Sequence, residues 1–167
     1  TLDVLCAAEH YGKKEKISTE ELILLKTAAL YHDSGFLNKY SHNEDESVKI
    51  VESILPGFKY NSKQIDIVNE MIFCTEIPHE PKTILEKILC DADLDYLGRN
   101  DFYMTGIRLL REWNENGIHT SLKEWYIQEV DFLLQHKYFT RSAFELRNPQ
   151  KLIHLNDIRN LLSENGQ

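Results

Sequence analysis

Apolar positions along this chain recur at spacings of three and four, not two, which is the signature of helices. Leu2, Leu5, Cys6 and Glu9 fall at i, i+3, i+4 and i+7 and predict a helix over 1–10 that Tyr11-Gly12 ends. That helix has no start signal of its own, so further residues are expected upstream of Thr1. Ser18 and Glu21 have capping-box spacing and open a helix with Leu22, Leu25 and Ala29 on one face, stopped by Gly35. A helix over 42–55 places Val48, Val51, Ile54 and Leu55 inside and ends at Pro56-Gly57. Ser62 is the expected cap of a helix to about Thr75 carrying Ile65, Val68, Ile72 and Phe73. A helix from about Lys82 leads into an acidic stretch at 90–98, and the pattern resumes through Phe102, Ile107 and Leu110 to Trp113. Ser121 and Glu124 repeat the capping box before Trp125, Val130, Leu133 and Leu134. Asn148-Pro149 is a predicted break, followed by a last helix with Leu152, Leu155, Ile158, Leu161 and Leu162. No segment sustains strict alternation, and there is no repeat or linker. The expectation is one all-α domain over 1–167, a bundle of six to nine helices.

Composition narrows the partners. The chain has 167 residues and a net charge of −8. An acidic balance lacks the basic footprint that polymeric nucleic acid requires. It still admits an anionic small substrate, because a metal ion inverts the local field. No apolar run approaches the ~20 residues that span a bilayer, so no membrane partner is expected. Cys6, Cys74 and Cys90 are odd in number, widely spaced and form no CxxC pair. They read as free or buried thiols in a reducing compartment, which places the protein in the cytoplasm and argues against a zinc-thiolate site.

Two clusters carry candidate chemistry. The first is His32-Asp33, at the end of the helix that runs through LLKTAALYHDSGF. Both fall within about one residue step, roughly 100°, of the centre of the apolar face. An imidazole and a carboxylate at the inner end of a buried helix are costly to desolvate unless paired or metal-bound. Alone, such a dipeptide is more often a hydrogen-bonded surface pair. The second cluster is Asp91, Asp93 and Asp95 in CDADLDYLG, after the apolar run Ile84-Leu85 and Ile88-Leu89. Its plain explanation is an N-cap with first-turn acids. Together, imidazole and carboxylates from two separate helices suit Mn, Fe, Ni, Co, Zn or Mg better than Ca. Helix-face geometry does not separate Asp91 from Asp93 as the ligand.

AALYHDSGF and DADLDYLGR, in that order and about 60 residues apart, resemble the HD-domain superfamily of metal-dependent phosphohydrolases. The resemblance covers at least Thr1 to Asp101. It implies a divalent metal held by His32, Asp33 and Asp93, with Asp91 as the second choice. The family's first His commonly stands just before a segment like Thr1-Leu2-Asp3-Val4, so a His is expected immediately upstream of Thr1. His10 does not substitute: ten residues on, it is rotated by roughly 280° and displaced by about 15 Å. His42, followed by Ser47, matches members in which such a His faces phosphate or donates a proton; as plain sequence it is a helix-start His in a polar loop. Members with two metals carry further histidines near the position of Cys74-Thr75, so a single metal is implied. His79, between Pro78 and Pro81, reads as a loop residue. Leu94 to Arg99 is similar to the segment after the metal Asp in dNTP-hydrolysing members, where Tyr and Asp approach the sugar.

Arg99 is placed to pair with the acidic cluster or with substrate. Arg141, in the cationic-aromatic run His136 to Arg141, and Arg147 could hold a phosphate, though such runs are more often solvated helix ends. Trp113 and Trp125 read as core. The expected function is hydrolysis of a phosphate ester or nucleotide, with Asp33 or a nearby acid orienting water and Tyr96, Arg99 and Arg141 meeting substrate. The alternative is a catalytically weak HD-type regulatory module that binds a nucleotide or partner in a signalling protein. A third reading is a helical scaffold whose acids are only caps.

Overall fold

The structure, a computed structural model, describes residues 1–164 and is all-helical: eight α-helices and three 3-10 turns, with no strand among the described residues. The chain divides into two compact units, one over Thr1–Leu94 and one from Asp95 onward. Among the described residues no helix is long and apolar enough to cross a membrane.

The first unit contains α1 (Leu2–Lys14), α2 (Thr19–Tyr31), α3 (Asn43–Ile54), α4 (Ser62–Phe73) and α5 (Ile84–Asp93). Helix α2 is its hub and packs on α1, α4 and α5. Its Leu24, Leu25, Ala28 and Ala29 are buried, as are Val68, Met71 and Ile72 of α4 and Leu85, Ile88 and Leu89 of α5. Three starts are fixed by capping boxes: Ser18 with Glu21, Asn61 with Gln64 and Thr83 with Glu86. Each satisfies amide donors that the first turn leaves without partners. The α4 cap is therefore Asn61, one residue before the expected Ser62.

Helix α1 differs from its sequence reading in two respects. Its buried face is Val4, Ala8, Tyr11 and Gly12, while Leu2 and Cys6 are exposed. Gly12 also lies inside the helix instead of ending it. A Cβ there would come within 3.0 Å of Ile17 and Leu22 side-chain atoms and 3.3 Å of Leu25. The small residues Ala8 and Gly12 mark close approach of neighbouring elements, which an apolarity count does not register.

The second unit opens with a 3-10 turn at Asp95–Gly98 and continues with α6 (Phe102–Glu115), α7 (Leu122–Gln135) and α8 (Arg141–Glu164). Helix α8 packs on both the 3-10 turn and α7. A Cβ on Gly98 would stand 2.3 Å from the Arg147 carbonyl oxygen, so glycine is what lets the turn meet α8. Trp113 and Trp125 meet edge to face at 5.0 Å; Trp125 is buried, in keeping with its core reading, whereas Trp113 is half-buried. Pro149, expected to break the chain, lies inside the 24-residue α8. Proline removes one helical hydrogen bond. The helix nevertheless runs on because it is packed on both sides of the defect, through Ala143 before it and Lys151, His154, Leu155 and Ile158 after it.

Candidate functional site

Helix α2 ends at Tyr31, which places His32 at its C-cap and Asp33 just beyond. The turn is held by α3. The Ser47 hydroxyl donates to the His32 carbonyl at 2.7 Å and accepts from the Gly35 amide at 2.8 Å. Gly35 is needed there, since a Cβ would lie 1.8 Å from the Asn43 carbonyl oxygen. The stop signal read in Gly35 is thus a close-packing requirement between the turn after α2 and the start of α3.

Two of the three acids, Asp91 and Asp93, fall in the last turn of α5, while Asp95 stands in the first turn of the 3-10 helix that follows. For Asp91 and Asp93 the capping explanation fails, because carboxylates at a helix C-terminus meet the negative end of the dipole and are disfavoured there. Asp91 is fully buried. Asp93 is half-buried and is the acid that reaches the His32-Asp33 turn.

The three groups meet at one atom. His32 Nε2 lies 3.1 Å from Asp33 Oδ2 and 3.2 Å from Asp93 Oδ1. Its Nδ1 is 3.0 Å from the Ala29 carbonyl oxygen. A carbonyl only accepts, so Nδ1 carries a hydrogen and donates. The ring is 99 % buried, with its side chain 1 % exposed, and is oriented entirely by these bonds. Burial works against its charged form, but hydrogen bonds to Asp33 and Asp93 and their charges outweigh it and raise its pKa to about 10. Burial likewise pushes Asp33 up, yet the bond to His32 and the charge on that ring carry it below the usual carboxylate range.

Two carboxylates around one buried imidazole leave an excess of negative charge unless a cation is taken up. Among the described residues, no group of three or more His, Cys, Asp or Glu that could hold a metal ion is found. The donor types, one imidazole and two carboxylates, are nonetheless ones that divalent ions take. Two bonds of about 2.1–2.2 Å at a right angle put their donor atoms about 3 Å apart, close to the separations seen around Nε2. A neutral imidazole with Nδ1 bonded to a carbonyl presents its Nε2 lone pair, the usual ligating arrangement.

The other expected residues are placed as follows. His42 caps α3 in left-handed backbone, is exposed, and its Nδ1 lies 3.2 Å from Glu76 Oε1. Its partner Ser47 shapes the His32 turn instead of facing outward. Tyr96, Arg99 and Arg141 belong to the second unit. Tyr96 stacks near Phe102 at 6.3 Å between ring centroids. Arg99 donates through Nε to Asp101 at 2.8 Å and stands 3.9 Å from Asp95. Arg141 is exposed and donates to Glu145 at 2.6 Å. Asp95 is buried and receives Arg147 through two nitrogens, at 2.7 and 3.2 Å.

His79, read from sequence as a loop residue, does lie in a loop, and that loop comes near the cluster. His79 is half-buried and its Nε2 lies 3.1 Å from the Thr75 carbonyl oxygen. Burial lowers its pKa, opposed by the charge of Asp93. The loop bearing it therefore lies within electrostatic range of Asp93, a relation that its two flanking prolines gave no sign of.

No family model, no curated protein and no solved structure matches this chain.

Proposed function

We propose that the chain is an HD-type, metal-dependent phosphohydrolase acting on a phosphate ester or nucleotide. One observation carries the reading. Two helices 60 residues apart deliver His32, Asp33 and Asp93 to a common point, where two carboxylates face one buried imidazole nitrogen. Packing does not call for such a cluster, and burying its charges costs free energy.

In this reading His32, Asp33 and Asp93 hold one divalent ion, of Mn, Mg, Fe, Ni, Co or Zn. Asp91 is the weaker candidate, since Asp93 is the acid hydrogen-bonded to His32. A bound divalent ion supplies acidified water and polarisation of a phosphoryl oxygen. The chain's residues do the rest. Ala29 and Ser47 fix the imidazole and the turn that carries it. Asp33, the most exposed of the three, accepts a proton from attacking water. His42 is the proposed proton donor or phosphate contact. Tyr96 by resemblance, and Arg99 and Arg141 by their charge, are proposed substrate contacts, and all three belong to the second unit. The setting is proposed to be the cytoplasm.

The regulatory-module reading draws on a specific observation. Arg99, Arg141 and His42 each have an acidic partner, in Asp101, Glu145 and Glu76. Phosphate would have to displace those acids. Two measurements separate the readings: the Mn²⁺-induced rise in melting temperature, and turnover on a panel of nucleotides and p-nitrophenyl phosphate esters. Both effects are expected, and both should vanish in Asp93→Ala. A metal-induced shift without turnover supports the regulatory module. Neither effect, in protein that carries the upstream residues, sinks the metal site.

A further inference from the structure

Cys74 and Cys90 are 16 residues apart in sequence, and their spacing suggests no relation. The fold brings them together. Cys74 caps the C-terminus of α4 and Cys90 sits in the middle of α5. Their sulfurs are 3.4 Å apart. Each is held in place by backbone: Cys74 Sγ lies 3.0 Å from the Met71 carbonyl oxygen, and Cys90 Sγ lies 3.2 Å from that of Cys74. A disulfide needs an S–S separation of about 2.05 Å, so the sulfurs stand little more than an ångström beyond bonding distance.

Access to the two sulfurs is unequal. Cys90 is fully buried, whereas Cys74 is half-buried. Cys74 also lines a cavity of about 570 Å³ at the surface of the first unit, with Glu70, Phe73, Glu76, Lys82 and Glu86. Of the two thiols, Cys74 is the one that borders this cavity, and Cys90 is in contact with it. A thiol open to oxidant beside a second thiol that can resolve it has this pairing.

We propose that Cys74 and Cys90 form a peroxide-oxidised dithiol pair whose reversible disulfide ties α4 to α5. In the first step the Cys74 sulfur attacks one oxygen of hydrogen peroxide. An S–O bond forms, the O–O bond breaks, and the leaving hydroxide takes up the thiol proton as water. Cys74 is then a sulfenic acid. In the second step the Cys90 sulfur attacks the Cys74 sulfur. The S–S bond forms, the S–O bond breaks, and the departing hydroxide leaves with the Cys90 proton as a second water. Two thiols lose two electrons, and one peroxide becomes two waters. A dithiol reductant reverses the change by exchange. Cys6 is exposed on α1 and takes no part. The bond would join α5 to α4 one turn before Asp93, and it does not depend on what the nearby cluster binds.

The test uses the full chain, folded, with hydrogen peroxide as the oxidant. Titration of free thiols should fall from three to one, and peptide mapping should find Cys74 joined to Cys90 with Cys6 free. The melting temperature should rise by several degrees, because a cross-link restricts the unfolded chain, and dithiothreitol should restore it. Cys90→Ser should stop the reaction at the sulfenic acid, so that dimedone labels residue 74. Cys74→Ser should leave Cys90 unoxidised. Cross-links through Cys6, labelling of Cys90 in Cys74→Ser, or three intact thiols after oxidation would each overturn the proposal. The Cys90→Ser labelling result is read in the folded variant. If that variant does not fold, mapping of the unmodified chain decides.

Discussion

Asp93 and Asp95 stand two residues apart, and their charges are balanced in opposite ways. Asp95, in the second unit, is buried against Arg147, which donates two hydrogen bonds, with Arg99 at 3.9 Å. Cations answer its charge in full, and the pair joins the turn after residue 94 to α8. Asp93, in the first unit, shares one imidazole with Asp33 at the unfavourable end of a helix. The first arrangement is complete as it stands. The second has two carboxylates for a single protonated ring and becomes balanced on taking up a cation. Acid count therefore says little about function, whereas the local charge balance says a good deal.

The comparison is tested hardest by breaking the complete pair. Asp95→Ala leaves the part-buried Arg147 without this acid and should cost up to about 3–5 kcal/mol of stability, the usual penalty for halving a buried ion pair. Urea denaturation measures it. A loss below about 1 kcal/mol would show that Asp95 is no better satisfied than Asp93. The same variant should keep its Mn²⁺-induced shift if the metal cluster belongs to the first unit alone.

The next largest effect concerns an acid with no cation in ion-pair contact among the described residues. Glu129 on α7 is buried, and desolvation raises its pKa to about 7. Gly106 makes the room, since a Cβ there would lie 3.0 Å from Glu129 Oε1. Above the unfolded value of 4.5 the unfolded chain releases this proton while the folded chain keeps it. Folding stability due to this group is therefore complete below pH 4.5 and falls as pH rises to about 7. The total is up to about 3 kcal/mol. Glu129→Gln should flatten that slope in urea titrations taken between pH 4.5 and 7.5. An unchanged slope would mean that the carboxyl is solvated.

Much of the architecture was legible because helices announce their ends. Ser18 with Glu21 and Ser121 with Glu124 form capping boxes as read. Three features were not legible, each for a physical reason. Gly12 and Gly35 look like stop signals, but they are contact points whose partners lie on other elements. Pro149 looks like a break, but packing on both sides outweighs one lost hydrogen bond. On α7, Glu129 takes an inward position that the apolar pattern would give to a hydrophobe, while Leu134 is exposed. At the site, His32, Asp33 and Asp93 stood out as residue types, and the fold brings them together. The Ser47 link and the Cys74-Cys90 contact were invisible, because spacings of 15 and 16 residues across two helices carry no local signature.

A smaller effect probes how the site is held. Ser47→Ala removes the bonds to the His32 carbonyl and the Gly35 amide. Leaving buried backbone groups unpaired should cost about 1–3 kcal/mol. It should also weaken the apparent Mn²⁺ affinity several-fold, because the turn that aims His32 and Asp33 loses its tie to α3. Thermal melts across a Mn²⁺ series give both numbers. Weaker stability with unchanged affinity would confine Ser47 to folding.

The smallest change in stability is expected at Asp93. Removing its carboxylate loses a hydrogen bond to a charged imidazole, worth about 1.5–3 kcal/mol in a favourable case. Three effects offset that loss. Asp33 still pairs with His32 at 3.1 Å. A negative charge leaves the C-terminal end of α5, a gain of about 0.3–1 kcal/mol. The desolvation of a half-buried carboxylate is also relieved. Asp93→Ala should therefore change metal-free stability by less than about 1 kcal/mol, where Asp95→Ala loses several times that. Its consequence for the proposed function should be the reverse: the expected Mn²⁺-induced rise in melting temperature and the proposed phosphohydrolase turnover should both be absent. Asp93→Asn separates charge from shape, since the amide keeps the size of the side chain and can still bond the ring. It should fold as well as the parent and also lose the metal shift. If Asp93→Ala instead destabilises the protein as much as Asp95→Ala does, and the metal shift survives in Asp93→Asn, the cluster is a second structural ion pair and the two acids differ only in their partners.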